Sequence, residues 1–207
     1  DSDGKLNFPE ELEDGPEMVL RGACVGLQKM TYLPGHGVYE YPYTPESFPW
    51  FYDKEQWIKY LDMLVANRMN SLYLWNGHPF ASLVKLEDYP FALEVDEETF
   101  KMNEEMFSFL TEEADKRGIF VIQMFYNIIL SKPFAEHYGL KTQDRNRPIT
   151  PLIADYTRKS IAAFIEKYPN VGLLVCLGEA MCTVEDDVEW FTKTIIPGVK
   201  DGLQALG

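Results

Sequence analysis

Four apolar runs in this chain each stop at a polar residue: Gln28, Asn76, Asn127 and Glu179. The intervals between them are 48, 51 and 52 residues. Glu179 is the only acid of the set and closes the run "VGLLVCLGE". A carboxyl group among apolar neighbours keeps its proton to higher pH, which suits a general acid. Gly178, just before it, leaves room for a substrate or a neighbouring backbone. The plainer alternative is a first loop residue or a cap for the next helix. "WNGHPF" (75–80) offers a second set: Trp75 a flat ring, Asn76 and His78 hydrogen-bonding groups for a small-molecule pocket. Its plainer alternative is a core tryptophan followed by an Asn-Gly turn. Tyr126 and Asn127 pose the same choice between substrate contact and local packing.

Other chemistries find little support. Arg145 and Arg147 lie in "TQDRNRP", where surface ion pairs compete with a carboxylate-orienting role. His36, His78 and His137 fall on three different loops without metal-ligand spacing, so neither a metal nor a cofactor is expected. There is no GxSxG elbow for a serine hydrolase, no GxGxxG and no GxxxxGK[ST]. Cys24, Cys176 and Cys182 are odd in number and lack CxxC spacing, which excludes a disulfide framework.

The elements that must position these residues alternate regularly. Residues 19–28, 70–76, 119–127 and 171–179 are expected as strands. Residues 53–68, 98–118 and 151–167 are expected as helices, and residues 185–196 as the beginning of a fourth. Trp57, Tyr60, Leu61 and Leu64 mark the apolar face of the first helix, and Met102, Met106, Phe109 and Leu110 that of the second. Near-continuous apolar strands between amphipathic helices imply a parallel sheet. The loops after the strands are long and the turns before them short. In a (β/α)8 barrel the loops after the strands build the active site. The expected fold class is therefore α/β, a TIM-type (β/α)8 barrel of which this chain holds about the first four β-α units. Residues 1–18, acidic and rich in Pro and Gly, are expected to be a linker or the tail of a preceding domain. Residues 19–207 are expected to be the N-terminal half of the barrel.

Bulk properties narrow the partners. The 207 residues carry a net charge of −14, which disfavours nucleic acid as a partner. No apolar stretch approaches the length of a membrane span. The loop 30–52 is crowded with rings, among them Tyr39, Tyr41, Tyr43, Trp50 and Phe51, either to wall a pocket or to pack on a neighbouring domain.

"RGACVG", with the later run "FPWFYDKEQWIKYLDMLVANRMNSLYLWNGHPF", resembles the opening of the barrel in β-hexosaminidase-like glycoside hydrolases. Glu179 after the fourth strand is similar in placement to the acid of that group and of the related α-glucuronidases. The overall style resembles the large multidomain glycosidases of gut Bacteroidetes. The resemblance implies a glycoside hydrolase acting on a complex glycan or polysaccharide, in a periplasmic or extracellular setting. It also implies that the C-terminal half of the barrel completes the site, and that an isolated fragment is inactive. Arg21 would match the strand-one arginine that contacts the sugar. Glu179 would be the general acid/base, with Trp75, Asn76, His78, Tyr126 and Asn127 shaping the subsite. Hexosaminidases carry an aspartate just before that glutamate, and here the position is Gly178. A non-catalytic carbohydrate-binding or scaffold barrel is the alternative from another class.

Overall fold

The structure, a computed structural model, describes residues 15–35, 37–126, 129–177, 181 and 183–207. Its frame is a four-stranded parallel sheet of β1 (Gly22–Gly26), β4 (Ser71–Trp75), β5 (Phe120–Tyr126) and β6 (Val171–Cys176), in that order. The register places Gly22 beside Ser71, Ser71 beside Phe120, and Val121 beside Val171. All four carboxyl ends therefore lie on one side.

The helices between strands form because each has a cap and one apolar stripe. Asp53 caps α1 (Lys54–Ala66) by accepting from the Gln56 amide, and Asp96 caps α3 (Glu97–Asp115) through the Thr99 amide. Thr150 caps α5 (Pro151–Lys167) through the Ile153 amide. Trp57, Leu61 and Leu64 of α1 pack on the sheet. Of the expected α3 stripe, Met106 and Leu110 are buried and Met102 and Phe109 half-buried, and the buried face also takes in Phe100, Asn103, Phe107, Thr111 and Ala114. Within this face Asn103 is fully buried: its Nδ2 donates to the carbonyls of Tyr43 (2.9 Å) and Ser82 (3.1 Å) and its Oδ1 accepts from Tyr52 Oη (2.5 Å). A polar residue inside the seam hides part of the stripe from a pattern of apolar letters.

The helix after β6 begins where expected and continues past residue 196. It runs as α6 (Val184–Trp190), a π turn over Phe191–Ile195, and α7 (Ile196–Ala205). Two glycines, Gly198 and Gly202, let α7 lie close on α5. A Cβ at Gly202 would fall 2.6 Å from Ile165 Cβ and 2.7 Å from the Ala162 carbonyl oxygen.

The loops after β1, β4 and β5 contain structure of their own. The first holds an antiparallel hairpin, β2 (Met30–Leu33) with β3 (Gly37–Glu40). The second carries a one-turn helix, α2 (Phe80–Leu83), and the third holds α4 (Lys132–His137).

The helices cover one face of the sheet. Leu72, Leu74, Val121 and Phe125 are buried there. The other face, which includes Cys24, Tyr73, Ile122, Met124 and Leu174, is open or half-open. Parallel sheets are stable when both faces are covered. The open face is the inward side of a barrel wall.

Gly202→Ala gains helix propensity but forces Ile165 and the α5 backbone to move. We expect a net loss of about 1–3 kcal/mol, the usual cost of overpacking, measured as a lowered urea midpoint at unchanged slope. An unchanged or raised midpoint would show that the helix pair relaxes freely.

Candidate active-face site

At the carboxyl ends of the strands, three segments meet: the β2–β3 hairpin, the loop after β4 and the loop after β5. Their junction is the turn Asn76–Gly77–His78. Asn76 is 1% exposed, so its side chain faces protein on all sides. Its Nδ2 donates to the Leu27 carbonyl (2.7 Å), and its Oδ1 accepts from the His78 amide (2.8 Å). The Gly77 amide donates to Glu40 Oε1 (2.7 Å), and the Gly77 carbonyl accepts from the Tyr126 amide (3.0 Å). One residue thus links the hairpin to the end of β5. A Cβ there would lie 2.5 Å from Glu40 Oε2 and 2.6 Å from Ile129 Cδ1, so any larger residue would have to push both side chains aside.

Glu40 is buried, and Gln28 Nε2 approaches its second oxygen at 3.4 Å. Burial raises its pKa, while the Gly77 amide and the Gln28 side chain draw it back. A second carboxyl, Glu94, joins the same three segments. It accepts from the Lys132 amide (3.0 Å), and the Tyr39 hydroxyl donates to it. Burial lifts it to about 7, against the downward pull of the Lys132 amide, the Tyr39 hydroxyl and the Lys132 ammonium. Val38 of the hairpin is held in turn by Thr142 Oγ1, which donates to its carbonyl (2.9 Å).

The residues expected to form the site separate into groups. Trp75 and Tyr126 end adjacent strands on the inward side, half-buried, with ring centroids 5.2 Å apart at 66°. They form a corner of two rings at the carboxyl-end layer of the open face. Asn76 lies directly behind them as a turn lock. His78 requires a correction: it points away from the open face into the helix layer. Its Nε2 is 2.8 Å from the Tyr156 hydroxyl, and its ring packs on Phe80 and Tyr156. Burial, with a further push from the Arg147 charge, lowers it to about 3, so the imidazole is neutral and committed to packing. Arg21 also requires a correction. It sits before β1, at the amino end of the sheet, level with Asn70. Its guanidinium donates to the carbonyls of Arg68 (2.9 Å), Met18 (2.6 Å) and Val19 (3.2 Å). About five residues of strand, roughly 16 Å, separate it from the Trp75 end. Glu179, Asn127, Gly178 and His36 lie outside the described residues.

Glu40 and Glu94 were not expected here, whereas Tyr39 belongs to the ring-rich loop expected either to wall a pocket or to pack on a neighbouring domain. A signal existed: "MTYL" and "GVYE" flank a short Pro- and Gly-containing turn, the pattern of a hairpin. Among the described residues no group of three or more His, Cys, Asp or Glu could hold a metal ion. No helix of the described residues is long and apolar enough to cross a membrane.

No protein-family model and no curated protein matches this chain. Solved structures do. A GH138 enzyme targeting the pectin rhamnogalacturonan II is 84% identical over 100% of this chain, with a TM-score of 0.92. This chain spans 24% of that enzyme's length. A β-glucosidase from Thermotoga maritima in complex with deoxynojirimycin matches 95% of this chain and 48% of its own, at 11% identity and a TM-score of 0.51. That likeness concerns the fold alone. The four β/α units described here are part of a TIM-type (β/α)8 barrel of the kind glycosidases use.

Glu94 makes stability depend on pH. Its folded pKa of about 7 lies above the ordinary 4.5, so the folded state holds a proton that the unfolded chain releases. The stabilisation is complete below about pH 4.5 and is lost as the pH rises to about 7. Glu94→Gln cannot ionise and still accepts from the Lys132 amide. Its urea midpoint relative to wild type should climb across that window and level off above it. A constant difference from about pH 4 to about pH 8 would refute a raised pKa at this carboxyl.

Proposed function

We propose that this chain supplies the first four β/α units of a (β/α)8 glycoside hydrolase acting on a complex pectic polysaccharide. The observation that carries this reading is the 84% identity, over the whole of this chain, with a GH138 enzyme that targets rhamnogalacturonan II. The geometry is compatible with it. Parallel strands deliver their carboxyl ends to one side, and two half-buried rings, Trp75 and Tyr126, stand there on the inward face. Aromatic rings of this kind pack against the apolar faces of sugars.

Glu179 follows β6 by three residues in the sequence, beyond the last strand residue Cys176. In this reading it is the general acid/base. It protonates the glycosidic oxygen as the bond to the anomeric carbon breaks and an oxocarbenium-like centre forms. The β-hexosaminidase-like and α-glucuronidase-like resemblance supports the position of that acid. Gly178 departs from the hexosaminidase pattern, and the sugar specificity is correspondingly assigned to the pectic class instead. The remainder of the barrel covers the open face around Tyr73 and Met124 and brings the second carboxyl group. The setting proposed is periplasmic or extracellular, where a polysaccharide substrate is met.

The test uses the full-length protein with purified rhamnogalacturonan II. Glu179→Gln should lower kcat by about 10²–10⁴-fold, the usual contribution of a positioned acid/base, with binding of the glycan retained. Unchanged turnover would remove Glu179 from the mechanism. Binding without turnover in the wild type would favour a non-catalytic carbohydrate-binding barrel. Residues 1–207 expressed alone should show no turnover of the same substrate. Enzyme-like rates from this piece would overturn the requirement for a second half.

A further inference from the structure

Glu40 reaches the site through a single residue. The Gly77 amide donates to its Oε1 at 2.7 Å, and the carbonyl of the same glycine accepts from the Tyr126 amide at 3.0 Å. Trp75 lies two residues before Gly77, and its ring meets Tyr126 edge-on at 5.2 Å. Asn76, between them, is tied to the Leu27 carbonyl, and its amide donates to the Met124 carbonyl at 3.4 Å. The turn is therefore clamped on three sides, and Glu40 is the acidic member of the clamp. A buried carboxyl group is costly unless its oxygens find hydrogen-bond donors. Here its two oxygens serve two different donors, the Gly77 amide and Gln28 Nε2. The carboxyl group also fills the space where a side chain at residue 77 would stand.

We propose that Glu40 is the positioning residue of the sugar subsite: by holding Gly77, it sets the angle of the Trp75–Tyr126 ring corner against the bound sugar. This rests on the glycosidase reading above. Glu40 itself is 4% exposed and touches no substrate; it acts through Gly77. Its effect is on binding, since the rings contact the sugar in the ground state and the transition state alike.

The experiment measures kcat and KM separately for full-length protein acting on rhamnogalacturonan II, together with thermal midpoints. Glu40→Ala should raise KM about tenfold, the order expected for a mis-set aromatic contact, with kcat within about threefold and its pH profile unmoved. Glu40→Gln retains an oxygen for the Gly77 amide and should return KM to within about threefold of wild type. If Glu40→Ala does not fold, Glu40→Asp replaces it: the charge stays, but the reach shortens by one methylene, and KM should rise as for alanine. A lowered thermal midpoint with KM unchanged in folded protein would reduce Glu40 to a structural role and overturn the proposal. A fall in kcat of about a hundredfold or more at constant KM would overturn it too, by making Glu40 part of the chemistry. Wild-type protein that neither binds nor turns over rhamnogalacturonan II sinks the glycosidase reading together with this one. Wild-type turnover with an unmoved KM in the variants sinks only this one.

Discussion

Parallel pairing constrains everything else in this molecule. When β1, β4, β5 and β6 run the same way, each connection must return over the helix side, and every strand end emerges at the same edge. Trp75 and Tyr126 become neighbours because of that register, although 51 positions separate them in the chain. The same constraint leaves one face without helices. Cys24 and Leu174 are exposed on it, while Leu72 and Leu74 on the opposite face are sealed. A one-sided parallel sheet is half of a structure whose other half must cover it.

The strand ends are held in place by polar groups more than by regular ladders. Glu40, Asn76, Glu94 and Asn103 each join backbone from different segments, and Glu40, Asn76 and Asn103 are buried. A buried donor left without its acceptor costs about 1–3 kcal/mol, so each such residue fixes its loop firmly. The price is specificity of residue type: an asparagine or glutamate at these points cannot be exchanged for an apolar residue of similar size. Loops anchored in this way can be long without being loose. That is the condition for building a binding face on them.

Much of this was legible from periodicity. The four strands and the first three main helices fall where apolar runs and caps predict them, within a few residues, and the fourth helix begins where expected but runs on to Ala205. Asp53, Asp96 and Thr150 begin helices because their side chains satisfy free amides, a purely local effect. The hairpin of residues 30–40 was obscured by the density of rings around it, and α4 by its shortness. The stripe of α3 is wider than its apolar letters indicate, because Asn103 is polar and buried.

The sequence by itself determined which segments form strands and helices, since those choices rest on neighbours a few positions apart. It also determined that the polar strand ends recur at a near-constant interval. Tertiary structure alone decided what the polar groups of the Asn76–His78 turn do. His78 and Asn76 sit two positions apart in one motif, yet the first turns into the helix layer beside Tyr156 and the second locks a turn on Leu27. Arg21 falls at the far end of the sheet because it precedes β1, whose carboxyl end faces the site. Glu40 lies 37 residues from Gly77 in the chain, and only the folded sheet brings its carboxylate onto that amide.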